Sequence, residues 1–216
     1  MRATRVNVLG SGLLAAVALS SAALGEVVKD ERGFSFELPA GYAAQADLLP
    51  GTRTWGRGEL GEASFARLTV TGLGGRIPTT PPNHTILEAS ARASAATYGL
   101  ALDSFEYRPL RWRELELEVS TQHCHREHLR FVQHSLGLPF AREGVQVSLL
   151  GPEAESERLR SEFDGVIASF DGERSTDAPR AKETAWSTGE TLGALCGLVV
   201  MLSIPLAAWR LFRKSG

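Results

Sequence analysis

The sequence predicts an α+β domain in the middle of a 216-residue chain, with a signal peptide before it and one transmembrane helix after it. Three observations predict this arrangement. Short runs alternate apolar and polar residues at period two, as strands do. Two longer runs repeat apolar residues at helical spacing, and an apolar segment lies near each end of the chain.

The first part of the domain is predicted to form strands. Phe34, Phe36 and Leu38 alternate with polar residues and are followed by proline and glycine, which predicts a half-buried strand ending in a turn. Two more strands are predicted at residues 52–57 and 64–73.

Residues 56–61, between these two strands, spell GxGxxG. That motif indicates a dinucleotide site only where a strand leads into the N-terminus of a helix. Here a stretch of β-branched and aromatic residues follows, from Phe65 to Val70. The glycines therefore predict a hairpin turn.

Two helices are predicted, with strands between them. The first runs from Asn83 or His84 to Tyr98, with Asn83 as its N-cap. The last helix follows a Gly-Pro pair and has the clearest amphipathic pattern of the chain, at Leu159, Phe163, Val166, Ile167 and Phe170. The intervening strands are predicted at residues 105–112, 114–121, 128–136 and 144–150.

A transmembrane helix is predicted at residues 188–211. Nineteen residues there, 191–209, carry no charge, and at about 1.5 Å per residue they span roughly 28 Å, close to the ~30 Å core of a bilayer. The basic residues Arg210, Arg213 and Lys214 follow. They are expected to stay in the cytoplasm, within a tail at residues 212–216.

The N-terminal segment, residues 1–25, is predicted to be a signal peptide. It has two arginines, a short apolar run and small residues before a cleavage site at Glu26. Residues 26–170 then form an extracytoplasmic domain, periplasmic if the source is bacterial, and the polar residues 171–187 form a flexible linker. The alternative is an uncleaved anchor with two membrane passes. Either way the expected location is the cell membrane.

Gly189, Gly193 and Gly197 recur every four residues and share one face of the predicted membrane helix. Small residues at this spacing let two helices approach closely in lipid, which predicts a possible homodimer. The alternative is that glycine is simply common in membrane helices.

Charge and cysteine content exclude some classes of protein. Residues 26–170 hold fifteen basic and twenty acidic side chains, so no nucleic-acid partner is expected. Cys124 lies in the domain and Cys196 in the membrane segment. They cannot pair within one folded chain, so the domain must be held by its core alone.

The element order and two local stretches resemble the PsbP-like family, which includes extrinsic photosystem proteins, a Ran-binding nuclear factor and bacterial proteins of unknown role. Residues 33–42, GFSFELPAGY, resemble the opening strand of the family, and Leu159 with residues 166–170, VIASF, resembles its closing helix. The resemblance implies an antiparallel sheet packed by helices. It also implies a binding module without catalytic activity, because members mostly bind partners.

A histidine-rich stretch suggests a metal site. His123, Cys124, His125 and His128 offer imidazole and thiolate, which suit zinc or copper. On one strand His123 and His125 would share a face, whereas alternation would send Cys124 and His128 to the other face. The alternative interpretation is a polar loop that happens to be rich in histidine.

The leading hypothesis is a single-pass, membrane-anchored binding or assembly module with an unknown protein partner and no cofactor. The alternative is a metal-binding or redox-responsive sensor that uses the cluster from His123 to His134, with zinc or copper as its cofactor. A hydrolase with an unrecognised site is a third hypothesis, which trails the other two. The chain contains no GxSxG, HExxH or P-loop motif that would support it.

Overall fold

A computed structural model describes residues 25–47, 50–77, 83–97 and 99–175. Residues 1–24 of the predicted signal peptide, the predicted membrane helix with its glycines, the predicted cytoplasmic tail and most of the predicted linker lie outside these residues. Within the described part of the chain, no helix is long and apolar enough to cross a membrane.

The described residues form ten strands and two α-helices. The strands are β1 (Glu26–Lys29), β2 (Phe34–Leu38), β3 (Ala43–Gln45), β4 (Thr52–Arg57), β5 (Ala66–Gly72), β6 (Ala101–Trp112), β7 (Leu115–Arg126), β8 (Leu129–Pro139), β9 (Gly144–Pro152) and β10 (Asp171–Gly172). The helices are α1 (His84–Thr97) and α2 (Ser156–Ser169), and a 3-10 turn at Glu153–Glu155 leads into α2.

The strands form two antiparallel sheets, so the predicted α+β class is confirmed. The large sheet has seven strands in the order β3-β4-β5-β9-β8-β7-β6, and the small one has the order β1-β2-β10. In β9, Leu149 packs in a core with Phe163, whereas Leu150 packs in a second core with Ala95. Because neighbouring strand residues point to opposite faces, α2 covers one face of the large sheet and α1 the other.

Both predicted helices form where their patterns place them. The Oδ1 atom of Asn83 accepts hydrogen bonds from the backbone N of Thr85 at 3.1 Å and of Ile86 at 3.4 Å, which confirms Asn83 as N-cap. Ala91 and Ala95 of α1 are buried. The inner face of α2 is also as predicted, with Leu159, Phe163, Val166 and Ile167 buried.

The hairpin turns explain where strand prediction succeeded and where it stopped short. Strands β4 and β5 pair antiparallel, which confirms the hairpin at the GxGxxG motif. The turns on either side of β7 instead use Arg113 and Glu127, both with φ of 54°. Non-glycine residues seldom adopt this conformation, so the sequence carries no turn signal there. Without such a signal, the end of β7 could not be placed from the sequence. The strand continues five residues beyond its predicted end at Thr121, through the histidines to Arg126.

The folded part of the chain extends beyond the predicted boundary at Phe170. Strand β10 pairs with β2, although its residues belong to the predicted linker. The backbone N of Ser175 donates to the carbonyl oxygen of Pro139 at 2.9 Å, and Ser175 is buried. The linker prediction of 171–187 is corrected for its first five residues, whose pairing depends on distant strands and leaves no local pattern.

A buried ion pair joins the small sheet to the end of the large one. The Asp30 carboxylate accepts from the backbone N of Arg32 at 3.0 Å and from its Nε at 2.7 Å. Arg32 also donates from Nη1 to the carbonyl oxygen of Gly51, directly before β4, at 3.1 Å. Burial alone would raise the pKa of Asp30, but these hydrogen bonds and the charges of Arg32 and Arg53 hold it below its usual value.

Candidate functional site

The structure places His123 and His125 on one face of β7, each beside a carboxylate. The Nδ1 atom of His123 lies 2.9 Å from Oε1 of Glu153, in the turn that leads into α2. The Nδ1 atom of His125 lies 2.8 Å from Oδ1 of Asp103. The register of β6 on β7 shifts between Leu102 and Ser104, so Asp103 is the extra residue of a bulge. We call His123, His125, Asp103 and Glu153 the histidine–carboxylate group.

Cys124 and His128 lie apart from this group, as alternation along the strand requires for Cys124. Cys124 faces the α1 side and is buried in the smaller core. Burial, with the nearby charges of Asp103 and Glu153, raises the pKa of its thiol to about 12, so it is a poor metal ligand and nucleophile. His128 is exposed in the two-residue turn between β7 and β8.

The predicted four-ligand metal site is thus reduced to two of its members in this geometry. Among the described residues, no group of three or more His, Cys, Asp or Glu side chains is arranged to hold a metal ion. Whether His123 and His125 bind metal stays a prediction. Gly189, Gly193 and Gly197, the predicted self-association residues, lie outside the described part of the chain.

His134, the last histidine of the stretch, is an interior residue. It is 2% exposed and faces α2, with its ring centroid 5.9 Å from that of Phe163. Its Nδ1 lies 3.0 Å from the hydroxyl of Thr121. Burial and the charge of Arg108 lower the pKa of His134 to about 4, so the ring is neutral at physiological pH.

The α1 face of the large sheet carries a row of small hydroxyl side chains. The row crosses five strands in register, at Thr54, Thr69, Ser148, Ser135 and Ser120. The Ser135 and Ser148 hydroxyls are 2.8 Å apart, and Gln133 donates to Ser135 at 2.8 Å. His134 follows Gln133 and faces the other side, so it cannot act as a base for Ser135.

A second surface lies where the start of α1 crosses β6, the last strand of the large sheet. The ring of His84 stacks on that of Tyr107 with centroids 3.6 Å apart, and Phe105 lies 5.0 Å from Tyr107. His84 Nε2 is 2.5 Å from a carboxylate oxygen of Glu118. Ile86 is 48% exposed, although it is a large apolar side chain. We call His84, Phe105 and Tyr107 the aromatic surface, and Ile86 lies two residues after His84 on α1.

Sequence reasoning found the two histidines but neither of their partners. Asp103 and Glu153 lie 22 and 30 positions from the histidines they contact, and only the strand register brings them together. The aromatic surface left one signal, because Phe105 and Tyr107 alternate within a predicted strand. That pattern predicts a shared face but not its exposure.

No family model matches the chain, and no curated protein matches it. Solved structures similar to it include a protein from Bacteroides thetaiotaomicron, at 12% identity and a TM-score of 0.46, with 71% of this chain and 50% of that chain covered. The chain thus spans half the length of that protein.

Two further similar structures carry names. One is cyanobacterial PsbP (CyanoP) from Synechocystis, at 16% identity and a TM-score of 0.46, covering 75% of this chain and 99% of that chain. The other is the Ran-binding protein Mog1p of Saccharomyces cerevisiae, at 9% identity and a TM-score of 0.45, covering 68% and 94%. The family that the sequence resembles includes extrinsic photosystem proteins and a Ran-binding nuclear factor. The structures similar to this chain include a PsbP and a Ran-binding protein.

Proposed function

We propose that the chain is a single-pass, membrane-anchored module that binds a protein partner outside the cytoplasm through the aromatic surface. The observation that carries this proposal is the stacked pair of His84 and Tyr107, with Phe105 next to Tyr107 on the same strand. Aromatic side chains are enriched at the energetic centres of protein interfaces, because they bury large areas with few rotatable bonds.

The aromatic surface is ordered before any partner arrives. The Tyr107 hydroxyl donates to the backbone oxygen of His84 at 3.3 Å. The Nε2 atom of the same histidine is hydrogen-bonded to the Glu118 carboxylate. Binding a partner would therefore cost little side-chain conformational entropy at these rings. Strand β6, which carries Phe105 and Tyr107, is also the edge strand of the large sheet. An edge strand offers backbone groups to a partner chain.

The ionisable groups support binding over catalysis. Among the described residues with clearly shifted pKa values, Asp30, Cys124 and His134 lie in separate packing contacts, whereas Tyr42 and Arg57 share the carboxylate of Glu162. Asp30 pairs with Arg32, Cys124 lies in the smaller core and His134 lies under α2. Tyr42 donates to Glu162 of α2 at 3.1 Å, and its pKa is raised by burial and by that carboxylate. An active site would gather such groups in one cleft.

Two arginines hold the last described residues, 171–175, against the domain. Arg113 lies 2.5 Å from the Asp171 carboxylate and donates to the backbone oxygen of Gly172 at 2.9 Å. Arg174 reaches Glu114 at 2.7 Å, so both arginines tie the last residues to the turn between β6 and β7. We propose that the linker begins at residue 176 and leads to the membrane helix at 188–211.

The membrane topology has a direct test with two reporters. A fluorescent protein fused after Gly216 is expected to fluoresce, because that end of the chain is predicted to be cytoplasmic. Alkaline phosphatase inserted directly after Ser175 is expected to be active, because that position is predicted to be exported. The reason is the basic cluster after the membrane helix together with the signal-like N-terminus. Reporters placed in both positions are compared for alkaline phosphatase and fluorescent-protein activity. Both positions on the same side would contradict the single-pass anchor.

Site-specific photocrosslinking in native membranes tests the binding surface. The full chain carries benzoyl-phenylalanine in place of Tyr107 or Ile86, and matched control chains carry it at Glu157 or Arg160 of α2, whose side chains are 88% and 51% exposed. We expect one discrete larger adduct from positions 86 and 107, reduced by an excess of the unlabelled chain. An equal adduct from the α2 positions, or none from positions 86 and 107, would refute the proposal.

A further inference from the structure

The ring nitrogens on the far side from the carboxylates are the unused metal-binding atoms of the two histidines. Asp103 and Glu153 accept hydrogen bonds when ionised, so the Nδ1 atoms of His125 and His123 carry the shared hydrogens. In the neutral rings this leaves both Nε2 atoms with a free lone pair. Neither Nε2 has a hydrogen-bond partner among the described residues, and the side chains are 20% and 38% exposed for His123 and His125.

We infer that His123 and His125 form a two-histidine site for a divalent transition metal of the zinc and copper class. Residues two apart on a strand share a face with Cα atoms roughly 7 Å apart, which suits two imidazoles bound to one ion. A carboxylate on the far nitrogen fixes the tautomer and raises the basicity of each ligand, as in many histidine metal sites. Solvent or a partner supplies the remaining ligands.

The charges around the pair favour a cation on balance. Asp103 and Glu153 each contribute a negative charge next to a ring. Arg130 is paired with His125 in the strand register, and its positive charge would repel a bound cation. Its Nη1 lies 3.5 Å from a Glu153 oxygen. Its side chain is 66% exposed, so water screens much of this charge. Removing Arg130 should therefore tighten binding, whereas removing either carboxylate should weaken it.

The test measures Cu²⁺ and Zn²⁺ separately on the full chain purified in detergent. Equilibrium dialysis gives the dissociation constant, and electron paramagnetic resonance of bound Cu²⁺ reports nitrogen ligands. We expect one ion per chain with nitrogen coupling. His123→Gln and His125→Gln should abolish this binding, and Asp103→Asn or Glu153→Gln should weaken it roughly 10–100-fold. Arg130→Gln should tighten it.

Two matched controls separate this site from adventitious binding and from loss of the fold. His128→Gln removes the neighbouring exposed histidine and should leave both the affinity and the nitrogen signal unchanged. Circular dichroism should be unchanged in the His125→Gln chain, since that side chain is 38% exposed. Binding that survives the His123→Gln, His125→Gln double variant, or that falls equally with His128→Gln, would overturn the inference. Absence of bound metal would also overturn the inference and would leave two histidine–carboxylate hydrogen bonds.

Discussion

Replacing Phe163 with alanine is expected to lower the free energy of unfolding by about 3–5 kcal/mol. The Phe163 side chain is fully buried, at 0% exposure, on the inner face of α2. Its core includes Leu149 of β9, and its ring lies 5.9 Å from that of His134. Truncation would remove this contact area and leave a cavity that a helix and a sheet cannot close without moving apart. Urea unfolding of residues 26–175, followed by tryptophan fluorescence, measures the change.

Arg160→Ala provides the matched control on the same helix. Its side chain is 51% exposed and its nearest carboxylate, on Glu157, is 3.9 Å away. Truncation there is expected to change stability by no more than about 0.5 kcal/mol. A cost below about 1 kcal/mol for Phe163→Ala would mean that α2 contributes little to the core, and the assigned inner face would be wrong.

The elements that could be predicted from the sequence are those whose buried residues recur at the regular spacing of a strand or a helix. In β2, the buried residues are Phe34, Phe36 and Leu38, which are the alternating positions used for the prediction. In α2, the spacing of Leu159 and Phe163 identified the buried face because a helix over a sheet needs one apolar stripe. Such patterns survive because burial acts on each residue directly.

The features that sequence reasoning missed depend on pairing between distant residues. Strand β10 has two residues, and only β2 gives it a structure. The position of Asp103 beside His125 follows from a bulge whose effect depends on the register of two strands. The hydroxyl row was also invisible, because Thr54 and Ser148 become neighbours of Thr69 only when β4, β5 and β9 align. No periodicity within one segment encodes these relations.

The folded domain is expected to lose roughly 3 kcal/mol of stability between about pH 6.5 and pH 4 through His134 alone. The pKa of this ring falls from 6.5 to about 4 on folding, first because of burial and then because of the charge of Arg108. Asp164, which pairs with Arg108, and the backbone of Ser156 act in the opposite direction. Between the two pKa values the unfolded chain binds a proton that the folded chain does not. The free energy of unfolding therefore falls as the pH falls through this window.

Comparison of two glutamine variants isolates the contribution of His134. Urea unfolding of residues 26–175 is measured from pH 7 to pH 4 for the native sequence, His134→Gln and His128→Gln. Glutamine does not titrate and keeps a polar atom near the Thr121 hydroxyl, which lies 3.0 Å from Nδ1 of His134. His134→Gln should be less stable at pH 7 but should show a pH slope shallower by most of this 3 kcal/mol, whereas His128→Gln, in an exposed turn, should keep the native slope. Carboxylates that titrate below pH 5 affect all three proteins alike, so they cancel in the comparison. Equal slopes for the native and His134→Gln proteins would show that the ring takes up its proton without disturbing the packing of α2 on the sheet.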